Sequence, residues 1–264
     1  MDRIMISQDN LQTIFGEEKK RSELIELNQR VLMHFAQFFF EIPHILRLKS
    51  NNLAKYVVFD QEENLFSALR KKKGVIILTA HFGNWELASA AIRLHTKENF
   101  TVVARPIDFL PADQLVTTIR TRCGTEIIPK KRSMRIILKA LRANKCVGIL
   151  LDQNVDWYDG VFVPFMGKTA CTNKGLALIA LKTKVPVIPL FSIKQPDGRY
   201  RIIFEKEMEL VRSGDNIKDI EANTKRFTAK IESYVKQYPE QWFWFHRRWK
   251  TKSYDPIPTD FYKN

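Results

Sequence analysis

The sequence has few of the patterns that would assign its chemistry at once. It contains three cysteines, an odd number, and no Cys-x-x-Cys pair. This argues against a disulfide framework or a thiolate metal site and is typical of a protein in a reducing cytosol. The cysteines are Cys123, Cys146 and Cys171.

Long apolar runs are also missing. No uninterrupted stretch approaches the roughly 18 residues that a membrane-spanning helix needs. The first residues are polar and mixed in charge, unlike a secretory signal. We therefore expect a chain that lies on the surface of any membrane it meets, unless a spanning segment lies outside this sequence.

Several familiar catalytic signatures are absent. The sequence has no Gly-x-Ser-x-Gly motif, which a serine-hydrolase elbow needs, and no His-Glu-x-x-His zinc motif. Gly167, Lys168 and Thr169 imitate the end of a phosphate-binding loop, but the first glycine of that motif would fall at Phe162. A loop that cradles phosphates is therefore excluded there.

What is present is a basic chain with enough apolar residues for a core. The 264 residues are 45% hydrophobic, which suits one sizeable α/β domain. Lysine and arginine number 43 against 29 aspartates and glutamates, for a net charge of +14. This balance indicates an anionic partner: nucleic acid, an anionic membrane surface or an acidic carrier protein.

A long amphipathic helix is predicted over residues 20–48, where apolar residues recur at steps of three or four. Phe39 and Phe40 broaden this stripe. It either packs on the protein's own core or partly faces lipid or an acyl chain. We divide the chain into this N-terminal segment, 1–50, and a main domain, 51–264. The stripe consists of Leu24, Leu27, Val31, Phe35, Phe38, Ile42 and Ile45.

The rest of the chain alternates between strand and helix patterns. The alternation predicts an α/β fold with a mixed, mostly parallel central sheet flanked by helices. Apolar runs predict strands over 75–79, 101–104, 146–151, 187–191 and, at an edge, 201–204. Apolar periodicity predicts helices after residue 86 and over 111–122, 132–143, 174–184 and 217–237.

The segment HFGNWE, residues 81–86, follows the predicted strand 75–79. Strand ends are where α/β sheets present functional groups. The imidazole of His81 can remove a proton from a hydroxyl, and a carboxylate on its other nitrogen would fix the tautomer. Gly83 permits a tight bend that would bring Glu86 to the ring. We predict His81 and Glu86 as a catalytic pair, although this spacing alone also fits a structural histidine.

Two further regions carry polar or cationic side chains. Nine lysines and arginines lie between Arg120 and Lys145, opposed only by Glu126. They form either a solvated helix face or a site for phosphate groups, on a lipid head or a carrier's phosphopantetheine arm. The segment WFWFHRRWK, residues 242–250, suits either a membrane surface or a buried aromatic anchor with a solvated basic edge.

In this order, the motifs resemble those of the late acyltransferases of lipid A biosynthesis, the lauroyl and myristoyl transferases. The resemblance covers nearly the whole chain, and the combination is specific although each motif alone is not. The motifs are HFGNWE at 81–86, Arg105-Pro106, Arg120-Thr-Arg122, Asp152-Gln153, VFVPFMGKTACT at 161–172, VPVIP at 185–189 and EQWFWFHRRWK at 240–250.

The resemblance implies a glycerolipid-acyltransferase-like fold at the cytoplasmic face of the bacterial inner membrane. It implies acyl carrier protein as donor and a hydroxyl of a membrane glycolipid as acceptor, with no metal and no cofactor. His81 matches the family's catalytic histidine and Glu86 its paired acid. The substrate-binding residues that we predict are Arg105, Arg120, Arg122, Asp152, Gln153, Gly167, His246, Arg247 and Arg248.

The sequence departs from the family pattern in two places. Members usually begin with a hydrophobic anchor helix, and this chain starts just beyond the point where that helix would end. Either the protein binds the membrane peripherally, or its anchor lies outside this sequence. Some members carry Asp-His where this chain has Asp152-Gln153, which we interpret as a tolerated variation.

Other interpretations stay open from the residues alone. The donor could be acyl-CoA, and the acceptor glycerol phosphate, another phospholipid or another glycolipid such as a mannosylated lipid. The charge also suits a nucleic-acid-binding protein, although the sequence signatures of that class are absent and we expect no nucleic-acid partner. A catalytically silent membrane-binding module is the third alternative.

Overall fold

The computed structural model describes residues 3–104, 110–129 and 133–253. Within these ranges the chain forms a seven-stranded sheet, a separate two-stranded hairpin and eight α-helices. The strands are β1 (Val57–Asp60), β2 (Val75–Thr79), β3 (Phe100–Ala104), β4 (Glu126–Pro129), β5 (Cys146–Leu150), β6 (Gly160–Phe165), β7 (Lys168–Asn173), β8 (Val187–Lys194) and β9 (Tyr200–Phe204). The helices are α1 (Arg3–Phe15), α2 (Arg21–Glu41), α3 (Glu63–Arg70), α4 (Trp85–Thr96), α5 (Leu110–Arg122), α6 (Ser133–Arg142), α7 (Gly175–Thr183) and α8 (Asn216–Gln237).

The sheet has the strand order β1-β9-β8-β2-β5-β3-β4. Every neighbouring pair is parallel except β8 and β9, which are antiparallel. This confirms the predicted mixed, mostly parallel α/β sheet. The strand predicted at 201–204 is β9, but it does not form an edge, because the short strand β1 pairs along its outer side.

Different helices cover the two faces of the sheet. The connections through α4 and α5 step from β2 towards β4, whereas those through α6 and α7 step back towards β8. Because parallel crossovers are right-handed, these two pairs of helices lie on opposite faces. Helix α8 packs against α7, and its Tyr234 stacks on Phe191 of β8 with ring centroids 3.8 Å apart. Phe191 therefore marks the face that α7 and α8 cover.

The predicted N-terminal helix is shorter than expected. Helix α2 ends at Glu41, and the six residues Ile42–Arg47 continue as a 3₁₀ turn that contains Pro43. All seven residues of the predicted stripe are buried, and they belong to one hydrophobic cluster that includes the sheet. Phe39 and Phe40 are exposed instead. The stripe packs on the protein's own core, while the domain boundary at residue 50 stays a prediction.

Helix α1 was not expected from the sequence and packs against α2. Neither was the pairing of β6 with β7 into a hairpin beside α8. Of the helices in the described ranges, none is both long and apolar enough to cross a bilayer.

Substituting Leu27→Ala tests whether α2 is part of the core. The leucine is almost fully buried, so the cavity left behind should lower the free energy of unfolding by about 2–5 kcal/mol, measured by urea denaturation. Phe40→Ala on the same helix is the matched control, because Phe40 is 80% exposed; it should change the value by less than about 0.5 kcal/mol. Equally small effects would contradict a shared core.

Candidate active site

Two polar side chains meet where strands β2 and β5 end. The strands are parallel neighbours with Thr79 opposite Leu150, and the amide of Leu151 donates to the carbonyl oxygen of Thr79 at 3.0 Å. Two residues beyond the Thr79–Leu150 pair lie His81 and Asp152. The strand register alone therefore brings the imidazole beside the carboxylate at the carboxyl edge of the sheet, where α/β folds place functional groups.

Asp152 holds the ring of His81. The Nδ1–H of His81 donates to Oδ1 at 2.8 Å, while the His81 amide and the Trp242 indole donate to Oδ2 at 3.0 and 2.9 Å. Burial disfavours the charge of Asp152, but the charge of His81 and these hydrogen bonds outweigh it and lower the pKa of Asp152 to about 2. An ionised Asp152 keeps the proton of His81 on Nδ1, so Nε2 is left to accept another.

The carboxylate of Glu86 is held by Arg120 rather than by His81. It accepts two hydrogen bonds from the Arg120 guanidinium, at 2.6 and 2.9 Å, and one from the indole of Trp85 at 3.0 Å. Glu86 lies in the first turn of α4, and Arg120 reaches it from the last turn of α5. The prediction that Glu86 orients the imidazole is therefore corrected. Asp152 orients the imidazole instead. The register of β2 and β5 brings the Asp152 carboxylate to the ring, whereas the sequence predicted that a turn at Gly83 would bring Glu86 there.

Trp85 connects the site to helix α2. Its ring meets the ring of His81 edge-on, with centroids 5.1 Å apart, and stacks on Phe38 of α2 at 4.4 Å. Edge-to-face aromatic contacts of this kind stabilise the relative orientation of the rings. Helix α2 thus packs against Trp85, the residue whose ring contacts His81.

The C-terminal segment fastens the loop that carries His81. The amide of Gly83 donates to the carbonyl oxygen of Gln241 at 2.8 Å, and the amide of Phe243 donates to that of His81 at 3.0 Å. Gly83 has φ +57°, and a Cβ there would lie 1.6 Å from the Ser192 carbonyl oxygen. Only glycine permits this close backbone approach.

The aromatic tail is a buried anchor. Trp242, Trp244 and Trp249 are buried, whereas Arg247 and Lys250 are exposed. Of the two interpretations of the tail, the structure therefore shows the anchor with a solvated basic edge. The sequence shows only that tryptophans are frequent in this segment. It does not indicate that Trp242 is the one that contacts Asp152.

Arg248, predicted to contact substrate, is fully buried inside the protein. Its guanidinium donates to the carbonyl oxygens of Gln153 and Cys171 and to the hydroxyl of Thr172, and it lies over the ring of Phe165. Burial lowers its pKa to about 10. The prediction is corrected, because these contacts tie the tail to the β5 loop and the hairpin, and Arg248 does not line the cavity as far as the described residues define it.

The other predicted substrate residues are dispersed. Gly167 occupies the turn of the β6–β7 hairpin with φ +74°, and Arg122 and Arg247 are exposed. None of these three belongs to the wall of the cavity in front of His81, as far as the described residues define it. The prediction for Arg105 lies outside the described residues, as do Lys130, Lys131 and Arg132 of the basic region.

A cavity of about 880 Å³ opens in front of His81. The amide Nε2 of Gln153 lies 3.4 Å from Nε2 of His81, at the point where a substrate hydroxyl would approach. Away from the imidazole the wall carries both apolar and polar side chains, and it comes from β2, β3 and β5 and from helices on both faces of the sheet. Five predicted site residues converge on the wall: His81, Glu86, Arg120, Gln153 and His246.

The family model of the bacterial lipid A biosynthesis acyltransferases matches residues 1–251. The chain belongs to this family. It is accordingly an O-acyltransferase, as the sequence motifs imply.

Curated relatives are also named as transferases of lipid A biosynthesis. A lipid A biosynthesis acyltransferase of Haemophilus influenzae is 27% identical over 93% of this chain and 75% of its own length. The lipid A biosynthesis lauroyltransferase of Escherichia coli is 27% identical over 72% of this chain and 60% of its own length. Among solved structures, the 1-acyl-sn-glycerophosphate acyltransferase PlsC of Thermotoga maritima is 14% identical, covering 87% of this chain and 95% of its own, with a TM-score of 0.35.

In this acyltransferase, Asp152→Asn should reduce kcat by about 10²–10⁴-fold, because an amide cannot stabilise the imidazolium that forms on His81. For the same reason the acidic limb of the pH profile of kcat/KM should move to lower pH. Glu86→Gln, the matched change of the other carboxylate, should leave that limb in place whatever its effect on the rate. Steady-state assays from pH 5 to pH 9 measure both, and a shift caused by Glu86→Gln alone would restore Glu86 as the partner of His81.

His246 should make the stability of the acyltransferase depend on pH. The Asn154 amide donates to its Nε2, and burial lowers its pKa to about 4, below the usual 6.5. The unfolded state therefore binds the proton first, and stability falls as the pH drops through this window. Between pH 7 and pH 5, His246→Gln should lose about 2 kcal/mol less of its unfolding free energy than the wild type, measured by urea denaturation. Equal losses would contradict this.

Proposed function

We propose that the protein transfers a fatty acyl chain from an acyl thioester to a hydroxyl group of a lipid A precursor or a related glycolipid. The observation that carries the proposal is the pairing of Asp152 with His81, whose side chain lines a cavity that has apolar residues on both faces of the sheet. The pairing leaves Nε2 as a base, and the cavity offers room for a hydrocarbon chain. Family membership supports acyl transfer as the reaction.

The reaction begins when the acceptor hydroxyl replaces the Gln153 amide beside Nε2 of His81. The hydroxyl gives its proton to Nε2 as its oxygen attacks the thioester carbonyl, and Asp152 stabilises the imidazolium. The C–S bond then breaks, and the imidazolium returns the proton to the leaving thiolate. The products are an ester and a free thiol, and the enzyme ends in its starting state.

The transfer needs no acyl-enzyme, since a thioester is already activated. The described cysteines support this direct route, because all three are buried. Burial raises the pKa of Cys146 to about 12, which keeps its thiol protonated and a poor nucleophile.

The negative charge that develops on the carbonyl oxygen needs hydrogen-bond donors. The amide of Gly83, in the loop before α4, and the amides of Leu87 and Ala88, in its first turn, already donate to oxygens of the protein. We assign the role to Arg120, which lines the cavity and keeps its charge at any working pH. Glu86 then acts as a positioning residue, because its bidentate contact fixes the Arg120 guanidinium.

The donor chain fits the part of the cavity on the α4 face of the sheet. Its wall includes Ile77 and Gly148, which are paired across β2 and β5, together with Ile92 and Phe100. All four are buried. A Cβ on Gly148 would touch the Phe100 ring at 3.4 Å, so the glycine leaves this space open. We name this part, lined by the four residues, the enclosed arm.

The donor that we propose is acyl carrier protein, and the place of action is the cytoplasmic face of the inner membrane. A net charge of +14 supports both an acidic carrier and an anionic membrane surface. Phe39 and Phe40 project from α2 to solvent, which supports peripheral contact with a bilayer. A second candidate acceptor is a mannosylated phospholipid, because a relative in Mycolicibacterium smegmatis, 22% identical, is named phosphatidylinositol mannoside acyltransferase.

His81→Ala should reduce kcat by about 10²–10⁴-fold, because the hydroxyl loses its base. The assay follows transfer from acyl carrier protein to purified lipid acceptor by mass spectrometry, which also identifies the acceptor. Thermal unfolding of the variant should match the wild type and serves as the control for folding. Near-wild-type turnover by a folded variant would remove His81 from the mechanism. The same assay can be run with acyl carrier protein and isotopically labelled acyl-CoA supplied together. Preferential transfer from acyl-CoA would contradict the proposed donor.

A further inference from the structure

The cavity continues on the opposite face of the sheet from the enclosed arm. Leu78 of β2 pairs with both Ile149 and Pro189, and Phe191 lies two residues after Pro189. Since side chains alternate along a strand, Ile149 points to the face marked by Phe191, whereas Gly148 of the enclosed arm points away from it. Ile149 lines the cavity as well. The cavity therefore reaches both faces of the sheet.

Helices α6 and α7 complete this second part of the cavity. Ile137 of α6 and Ile179 of α7 are buried in its wall, and Met134 and Leu178 stand at its rim. We name it the open arm, lined by these four residues and Ile149. Met134 is 41% and Leu178 37% exposed, in contrast to the buried residues of the enclosed arm. A hydrocarbon chain can enter the open arm from the protein surface.

Cationic side chains lie on helix α6 and just before helix α7, the two helices that form the open arm. Arg135, Lys139 and Arg142 of α6 are exposed, and Lys174, just before α7, forms part of the cavity wall. Exposed apolar residues among lysines and arginines are typical of surfaces that bind anionic lipids. The positive charge on these helices therefore suits an amphiphile with a negatively charged head.

We propose that the open arm receives a hydrocarbon chain of an anionic lipid acceptor. This assignment rests on the proposed function. The acceptor hydroxyl and the donor thioester then reach His81 from opposite faces of the sheet, and neither chain has to leave before the other binds. A lipid that stays partly in the bilayer needs a groove that opens at the surface, and only the open arm, of the two described, meets this requirement.

The test compares two glutamate substitutions on α6. Met134→Glu places a charge at the rim of the open arm, and Ile136→Glu places the same charge on the same basic helix at a residue that is 45% exposed and does not line the cavity. Met134→Glu should raise the KM for the lipid acceptor about tenfold or more, because an apolar chain would meet a charge. Its KM for the acyl donor and its donor chain-length preference should stay within about twofold, and Ile136→Glu should change neither KM beyond that.

A third variant reports on the enclosed arm. Gly148→Ala should shift the donor preference towards shorter chains with the acceptor KM unchanged, because the methyl group narrows the space beside Phe100. A donor effect of Met134→Glu, equal effects of the two glutamates, or no effect of either would each overturn the assignment of the open arm. The proposed function itself fails separately, if the wild-type protein transfers no acyl chain to any lipid hydroxyl.

Discussion

The active site depends on one buried negative charge. Asp152 lies almost wholly out of solvent, where an unpaired carboxylate would cost several kcal/mol. Three donors from two other parts of the chain offset that cost: the amide and ring of His81, after β2, and the indole of Trp242, near the C-terminus. The same hydrogen bonds that stabilise the charge also fix the imidazole. One arrangement therefore both satisfies the buried carboxylate and orients His81, the general base that we propose.

This arrangement explains why the C-terminal segment is built as it is. The tail places the indole of Trp242 against Asp152. Hydrogen bonds to helix α1 and to the loop after β5 fix the position of the tail. Asn10 of α1 donates to the carbonyl oxygens of Trp244 and His246 at 2.7 and 2.8 Å, while Arg248 binds the loop after β5. The two ends of the described chain therefore meet behind the site, and helix α1 contacts the same tail that contacts the loop of His81.

The sequence predicted which residues belong to the site better than it predicted which of them form pairs. Apolar runs identify β2 and β5, and His81 and Asp152 stand out as polar residues just after them. Their pairing is not predictable from local pattern, because β3 and β4 come between β2 and β5 in the chain. The prediction for Glu86 was wrong because it relied on closeness in sequence. Glu86 is near His81 in the chain, but its partner Arg120 comes from another helix.

Elements that lack a strong period were missed for a related reason. Strands β1 and β4 have four residues each and mixed burial, so no alternation marks them. In the irregular tail, neighbouring cations have opposite environments: Arg247 is exposed and Arg248 is buried. Without a helical or strand period, nothing in the sequence tells which of two adjacent arginines turns inward. That choice follows from the acceptor oxygens that only the folded hairpin and β5 loop provide.

In the proposed mechanism, the position of β5 beside β2 also determines how substrates reach His81. The chain leaves β2 into α4 on one face of the sheet, whereas after β5 it passes through the hairpin into α7 on the other face. Where neighbouring strands send their helices to opposite faces, a crevice opens at their carboxyl ends. His81 and Asp152 stand at the ends of these two strands. In the function that we propose, the enzyme has to separate two hydrocarbon chains while joining their polar ends. A site at a sheet edge, with apolar residues on both faces, would meet both conditions.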